Sequence, residues 1–225
     1  MEKKDLYDRA REAIIEADEE LAMEIVDRAK EANIDLFDLL LTGFSSGNEE
    51  IGERFESGEL SLPELIYAAE VMKNVTDYVL NQLGMDKSDV KLCAPKGRIL
   101  LATVKGDIHD IGKGIVASAL KAAGFEVIDI GCEVPVETIV EEAIRNNVDI
   151  IGTSALLTST MTEQRLLEKC LAERGLKGRF MTMIGGAPCT PRWARKIGAS
   201  GYSEDANEAV NVALDLMKGK SKDNE

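Results

Sequence analysis

The sequence predicts an α/β protein in two parts, a four-helix bundle followed by a doubly wound parallel sheet of five strands. Three observations predict it. Residues 1–90 carry helical periodicity with no strand pattern, residues beyond about 97 alternate short apolar runs with amphipathic stretches, and 225 residues suffice for one good core plus a smaller companion.

In the first part, Leu21, Ile25 and Ala29 recur at a spacing of four, and Leu65, Met72, Val75 and Val79 fall on one face of another helix. Breaks are expected near Asn33, Gly47 and Gly58, which gives about four helices whose short loops make neighbours antiparallel. Ser61 stands three residues before Glu64, with Pro63 between them. That is the spacing of a capping box with proline in the permissive first turn, so a helix starts there.

In the second part, apolar runs at RILLAT, EVIDIG, VDIIGTS and RFMTMIGG, with Gly201-Tyr202 as the weakest, alternate with helical stretches such as VETIVEEAIRNN and DANEAVNVALDLMKG. Strands apolar on both faces and separated by helices imply a parallel sheet covered on both sides, a Rossmann-like and specifically flavodoxin-like arrangement. Ligands in such sheets bind beyond the carboxyl ends of the strands. The loops at 104–112, 131–135, 154–160 and 185–189 are therefore where chemistry is expected. Residues 1–90 are expected as the bundle, 91–97 with Pro95 as the linker, 98–220 as the α/β domain, and 221–225 as a polar tail.

Composition excludes several classes. Forty-one acidic against 27 basic residues leave a net charge of −14, the wrong sign for a nucleic-acid partner, which is bound through clustered Lys and Arg. No apolar stretch approaches the roughly 20 residues a spanning helix needs, and the first residues lack the basic-then-apolar order of a secretory signal. No membrane partner and a cytoplasmic location are expected. Cys93, Cys132, Cys170 and Cys189 are scattered without metal-binding spacing and read as reduced thiols.

The one histidine, His109, lies in VKGDIHDIGKG, the loop after the first strand. Asp107, two residues earlier, can accept a hydrogen bond from one imidazole nitrogen while the other faces a metal. One histidine without companion donors cannot build a zinc site. Taken alone, the residue leaves two readings open: a solvated loop side chain, or a single protein ligand to a metal whose other ligands come from a macrocycle. Gly106, Gly112 and Gly114 permit close approach of backbone to a ligand. A phosphate loop is excluded by spacing, because five residues separate Gly106 from Gly112 and Gly114 stands where a hydroxyl should follow Lys113.

The run Asp107-Ile108-His109-Asp110-Ile111-Gly112 resembles the Asp-x-His-x-x-Gly signature of base-off, histidine-on cobalamin-binding domains. Ser154-Ala155-Leu156 matches that family's Ser-x-Leu, and Gly185-Gly186 follows in order, each in a loop after a strand. Residues 51–72 are similar to the end of the helical cap in methionine synthase and in small corrinoid proteins of methylamine and methanol metabolism.

The resemblance implies His109 as the lower cobalt ligand, with Asp107 orienting it and Thr160 in the place of the serine that completes the relay in methionine synthase. It implies a nucleotide tail lying along Ser154, Leu156, Gly185 and Gly186. Gly106, Asp110, Ile111, Gly112 and Thr158 complete the expected cofactor-binding set, and Phe55 and Leu62 match cap residues that shield the cofactor's upper face; ordinary bundle core is the alternative for both.

The function so implied is a corrinoid (cobalamin) methyl shuttle of methylamine metabolism and methanogenesis, a subunit of a multi-component methyltransferase system without a catalytic domain of its own. It would take a methyl group from trimethylamine, dimethylamine or a quaternary amine onto cobalt(I) through a substrate-specific methyltransferase. From the methylcobalamin form it would pass the group to a second methyltransferase acting on a thiol or tetrahydrofolate-type acceptor, and a reductive activase would rescue cobalt(II). A methanol-specific corrinoid protein and the small subunit of a radical mutase are the alternatives; residues 1–90 count against the mutase.

Overall fold

The computed structural model describes residues 3–85 and 95–222, and it divides into two compact units, 1–94 and 95–225.

The first unit is helical: α1 (Lys3–Ile15), α2 (Glu19–Glu31), α3 (Leu36–Asp38), a π-helical turn (Leu39–Phe44), α4 (Ser45–Glu56) and α5 (Leu62–Leu83). Since α3, the π turn and α4 follow without interruption, the unit is a bundle of four helical rods. Its breaks differ from expectation. The chain turns at Ala17, Asn33 and Gly58, all at positive φ, while Gly47 lies buried inside α4. A Cβ on Gly47 would sit 2.5 Å from the Arg11 carbonyl oxygen and 2.9 Å from the Ile14 Cβ, so this glycine is a point of close approach between α1 and α4. Asp18, which caps α2 by accepting from Leu21 N at 2.9 Å, ends the first helix where no glycine or proline signals it. The capping box at α5 forms, with the Glu64 carboxylate accepting from Ser61 N at 2.8 Å.

The second unit alternates strands and helices: β1 (Arg98–Thr103), α6 (Ile111–Ala122), β2 (Glu126–Asp129), α7 (Val136–Arg145), β3 (Ile150–Ser154), α8 (Met161–Glu173), β4 (Met181–Gly185), α9 (Pro191–Ile197), β5 (Gly201–Tyr202) and α10 (Ala206–Lys222). The five strands are parallel in the order β2-β1-β3-β4-β5, the flavodoxin-like doubly wound order. Leu100, Ala102 and Ile151 point to one face and meet Ile139 and Val140 of α7 and Leu167 and Leu171 of α8. On the other face α6 and α10 pack together over the sheet.

Two boundaries shift from the sequence reading. Helix α6 begins at Ile111, so Ile111 and Gly112, expected in the loop, form its first turn, and α10 runs to Lys222, into the segment expected as a polar tail. Most of the expected linker, and Cys93, lie outside the described residues.

Candidate functional site

The chain leaves β1 for β2 on one side and returns to β3 on the other, so the carboxyl ends of β1 and β3 flank the point where strand order reverses. A crevice opens at such a point in doubly wound sheets. Here the loops after β1 and β3 are joined by one carboxylate.

Asp107 is fully buried, and five donors converge on it. Its Oδ1 accepts from His109 Nδ1 at 2.7 Å and from His109 N at 3.1 Å. Its Oδ2 accepts from Leu156 N at 2.7 Å, Leu157 N at 3.4 Å and Thr160 Oγ1 at 2.9 Å. Burial pushes the carboxyl toward protonation, but the hydrogen bonds from His109, Leu156 and Thr160 outweigh it and hold Asp107 well below the usual carboxylate range. A deprotonated carboxylate only accepts, so the proton between the two side chains is carried on His109 Nδ1, and Nε2 is the ring nitrogen turned away from the carboxylate.

Backbone bonds fix the loop. Thr103 Oγ1 donates to His109 O at 3.2 Å, Glu133 N donates to Asp107 O at 3.0 Å, and Gly106 takes a φ of +80° that favours glycine. The His109 side chain is nevertheless 50 % exposed, and among the described residues Nε2 has no partner.

Ile108 and Ile111, 66 % and 82 % exposed, stand with Ile115, Leu156 and Leu157 as large apolar side chains left in water on the β1 and β3 loops and the start of α6. Such a patch marks a binding surface. Gly112 and Gly114 face open space on the first turn of α6, and Asp110 stands at its N-cap.

The other expected residues fall into three groups. Ser154 and Gly185 are register partners at the ends of β3 and β4, and a Cβ on Gly186, at φ +115°, would collide with the Ala155 carbonyl oxygen. The structure thus brings Ser154, Leu156, Gly185 and Gly186 to one sheet edge. Thr158 is exposed on the β3 loop. Phe55 and Leu62 belong to the first unit: Phe55 is buried on the face of α4 shared with Gly47 and Ile51, which packs on α1, and Leu62 is half-buried at the start of α5.

Sequence reasoning missed two arrangements. Lys113, buried in α6, pairs through Nζ with Asp129 Oδ1 at the end of β2. Gln164, buried in α8, bonds to both β3 and β4. A basic residue in a glycine-rich loop and a lone amide in a charged helix give no signal of these partners.

A family model described as a B12 binding domain matches residues 97–211, and a second of the same description matches residues 6–80. Trimethylamine corrinoid protein 1 of Methanosarcina acetivorans is 43 % identical over 93 % of this chain and 95 % of its own length. The chain belongs to the B12-binding corrinoid protein family. The dimethylamine corrinoid protein of Methanosarcina barkeri is another member, 40 % identical over 96 % of this chain and 100 % of its own. A solved structure, the methanol:cobalamin methyltransferase complex of Methanosarcina barkeri, matches with a TM-score of 0.71 and 26 % identity over 98 % of this chain and 85 % of that one.

The residues present fit the corrinoid of this B12-binding family. One imidazole nitrogen is free and oriented, no group of three or more metal-binding side chains stands anywhere among the described residues, and exposed apolar side chains stand on the loops that carry and anchor the ring. A macrocycle that supplies the metal's remaining ligands and presents a broad face to the protein would answer each of these features. No helix among the described residues is long and apolar enough to cross a membrane.

Proposed function

We propose that this chain is a corrinoid-bearing methyl carrier of a methylamine methyltransferase system, with trimethylamine or dimethylamine as the methyl donor. The observation that carries it is the buried Asp107 carboxylate, which orients an exposed imidazole with its Nε2 free, in a chain of this family. When bound, the corrinoid would supply the cobalt that takes up and gives off the methyl group.

His109 Nε2 is the lower ligand in this reading. Asp107 holds the proton on Nδ1, keeps the ring in one tautomer and makes it a better donor; Thr160 Oγ1 donates to the same carboxylate and tempers its charge. Ligation and release at Nε2 are thereby coupled to the proton shared by Nδ1 and Asp107. Ser154, Leu156, Gly185 and Gly186 receive the nucleotide tail, and Gly106, Asp110, Ile111, Gly112 and Thr158 border the cofactor.

The methylamine donor is favoured by identity of 43 % and 40 % to the trimethylamine and dimethylamine corrinoid proteins over nearly the whole chain. The partner is a substrate-specific methyltransferase; a second methyltransferase for a thiol or folate acceptor and a reductive activase complete the proposed system, in the cytoplasm.

The test is the visible spectrum of the protein after anaerobic refolding with hydroxocobalamin and desalting. Wild type should retain a histidine-ligated corrinoid and His109→Ala a base-off one. Folded wild type that retains none would refute the reading. The donor is then tested by methyl uptake from each amine with its cognate methyltransferase.

A further inference from the structure

Gln164 is 1 % exposed, and its carboxamide is bonded on every side. Nε2 donates to Thr153 O and to Gly185 O, both at 3.2 Å. Oε1 accepts from Trp193 Nε1 at 3.1 Å and lies 3.3 Å from the Cys189 Sγ. An indole N–H is only a donor, so it fixes which end of the amide is oxygen and aims the NH2 at the two carbonyls. Burial keeps the Cys189 thiol protonated against the smaller effect of its bond to Gln164, and its one S–H is shared between Gln164 Oε1 and Gly185 O, which lies at 3.2 Å. One side chain on α8 therefore ties together the ends of β3 and β4, the loop after β4, and α9.

The carbonyl of Thr153 shares a peptide plane with the nitrogen of Ser154, and the carbonyl of Gly185 shares one with the nitrogen of Gly186. Fixing those two oxygens fixes the tilt of the peptides that place the Ser154 side chain and the bare Cα of Gly186. The tolerance there is small: Ala155 N donates to Gly185 O at 3.1 Å, and a single Cβ on Gly186 would collide with the Ala155 carbonyl. Asp107, His109 and Thr160 make no bond to Gln164; the Asp107 network begins at Leu156, the residue after Ala155, and runs on to Thr160.

We propose that Gln164 is a positioning residue for the corrinoid's nucleotide tail: by orienting the Thr153–Ser154 and Gly185–Gly186 peptides it sets the β3–β4 edge to admit a corrinoid that carries the tail. The inference rests on the corrinoid-carrier reading above and goes beyond it, because it separates recognition of the tail from ligation of the metal.

The experiment compares two probes, hydroxocobalamin with its nucleotide and cobinamide without it, by equilibrium dialysis against the full-length protein. Variants are Gln164→Leu, which keeps the bulk and removes all four bonds, and Trp193→Phe, which keeps an aromatic ring but removes the indole N–H and the pyrrole ring that carries it; circular dichroism verifies folding. Gln164→Leu should lose roughly tenfold in affinity for hydroxocobalamin, the size expected for two neutral hydrogen bonds, and stay within about twofold for cobinamide. Trp193→Phe should move the ratio in the same direction by less, and it decides the matter if Gln164→Leu does not fold. Equal losses for both probes, or no change in their ratio, would overturn the proposal while leaving the carrier reading intact. Wild type that binds neither probe would overturn both.

Discussion

Replacing Thr160 with valine isolates one bond of the site. The Thr160 hydroxyl has a single proton and two acceptors at 2.9 Å, Asp107 Oδ2 and Leu157 O. The charge on Asp107 decides the competition, since hydrogen bonds to ionised groups contribute about 1.5–3 kcal/mol against about 0.5–1.5 for neutral ones. Valine keeps the shape and removes the donor. Oδ2 still accepts from Leu156 N and is not orphaned, so the expected destabilisation is about 2 kcal/mol, in the lower half of the charged range. Thr160→Ser keeps the hydroxyl and drops one buried methyl, a loss of roughly 1 kcal/mol or less.

The assay is urea denaturation followed by the fluorescence of Trp193, the one tryptophan, which lies on α9 and so reports on the second unit. The pH dependence supplies a second check. Asp107 is held below its unfolded value, so the stability it contributes is complete above about pH 4 and is lost only as pH falls through the lower folded value. The gap between valine variant and wild type must therefore be the same at pH 7 and pH 5. Valine within about 0.5 kcal/mol of wild type, serine worse than valine, or a gap that closes between those pH values would each refute the reasoning.

Three further outcomes follow from the same structure. Asp129→Asn should destabilise the second unit more than Lys113→Met, because the first leaves the buried ammonium without its charged partner while the second leaves a carboxylate that water already reaches; the Trp193 transition measures the order, and the reverse order would contradict it. Gly186→Ala should cost more than about 3 kcal/mol, since it combines a collision with Ala155 O and a φ of +115° that alanine rarely adopts, and the soluble yield together with the urea midpoint would show it. Gly47→Ala should lower the stability of the helical unit by about 2–3 kcal/mol through overpacking against Arg11 and Ile14, and because the two units are separately compact it should move the far-ultraviolet circular dichroism transition while sparing that of Trp193.

Local pattern carried much of this protein. Parallel strands buried on both faces must be apolar runs, so RILLAT marks β1 to the residue and the other strands fall within two residues of their runs. The capping box announced α5 because its bonds span three residues. Gly47 misled because a glycine in a sequence looks the same whether it ends a helix or lets two helices touch; only the position of α1 against it tells them apart. Ala17 gave no signal because its positive φ is imposed by the capping of the next helix and not by its own side chain.

The same division holds at the site. By itself the sequence determined the fold class, the loop that carries His109, the neighbouring carboxylate and the family, because these depend on residues close along the chain or on motifs in fixed order. The tertiary structure alone decided that Asp107 is wholly buried, that it joins the β1 and β3 loops through Leu156 and Thr160, that Lys113 turns to Asp129, and that Gln164 fastens the ends of β3 and β4. Each of these pairs groups that are more than ten residues apart in sequence, and which polar group finds which partner is settled only when packing excludes water and every buried donor and acceptor must be satisfied from within.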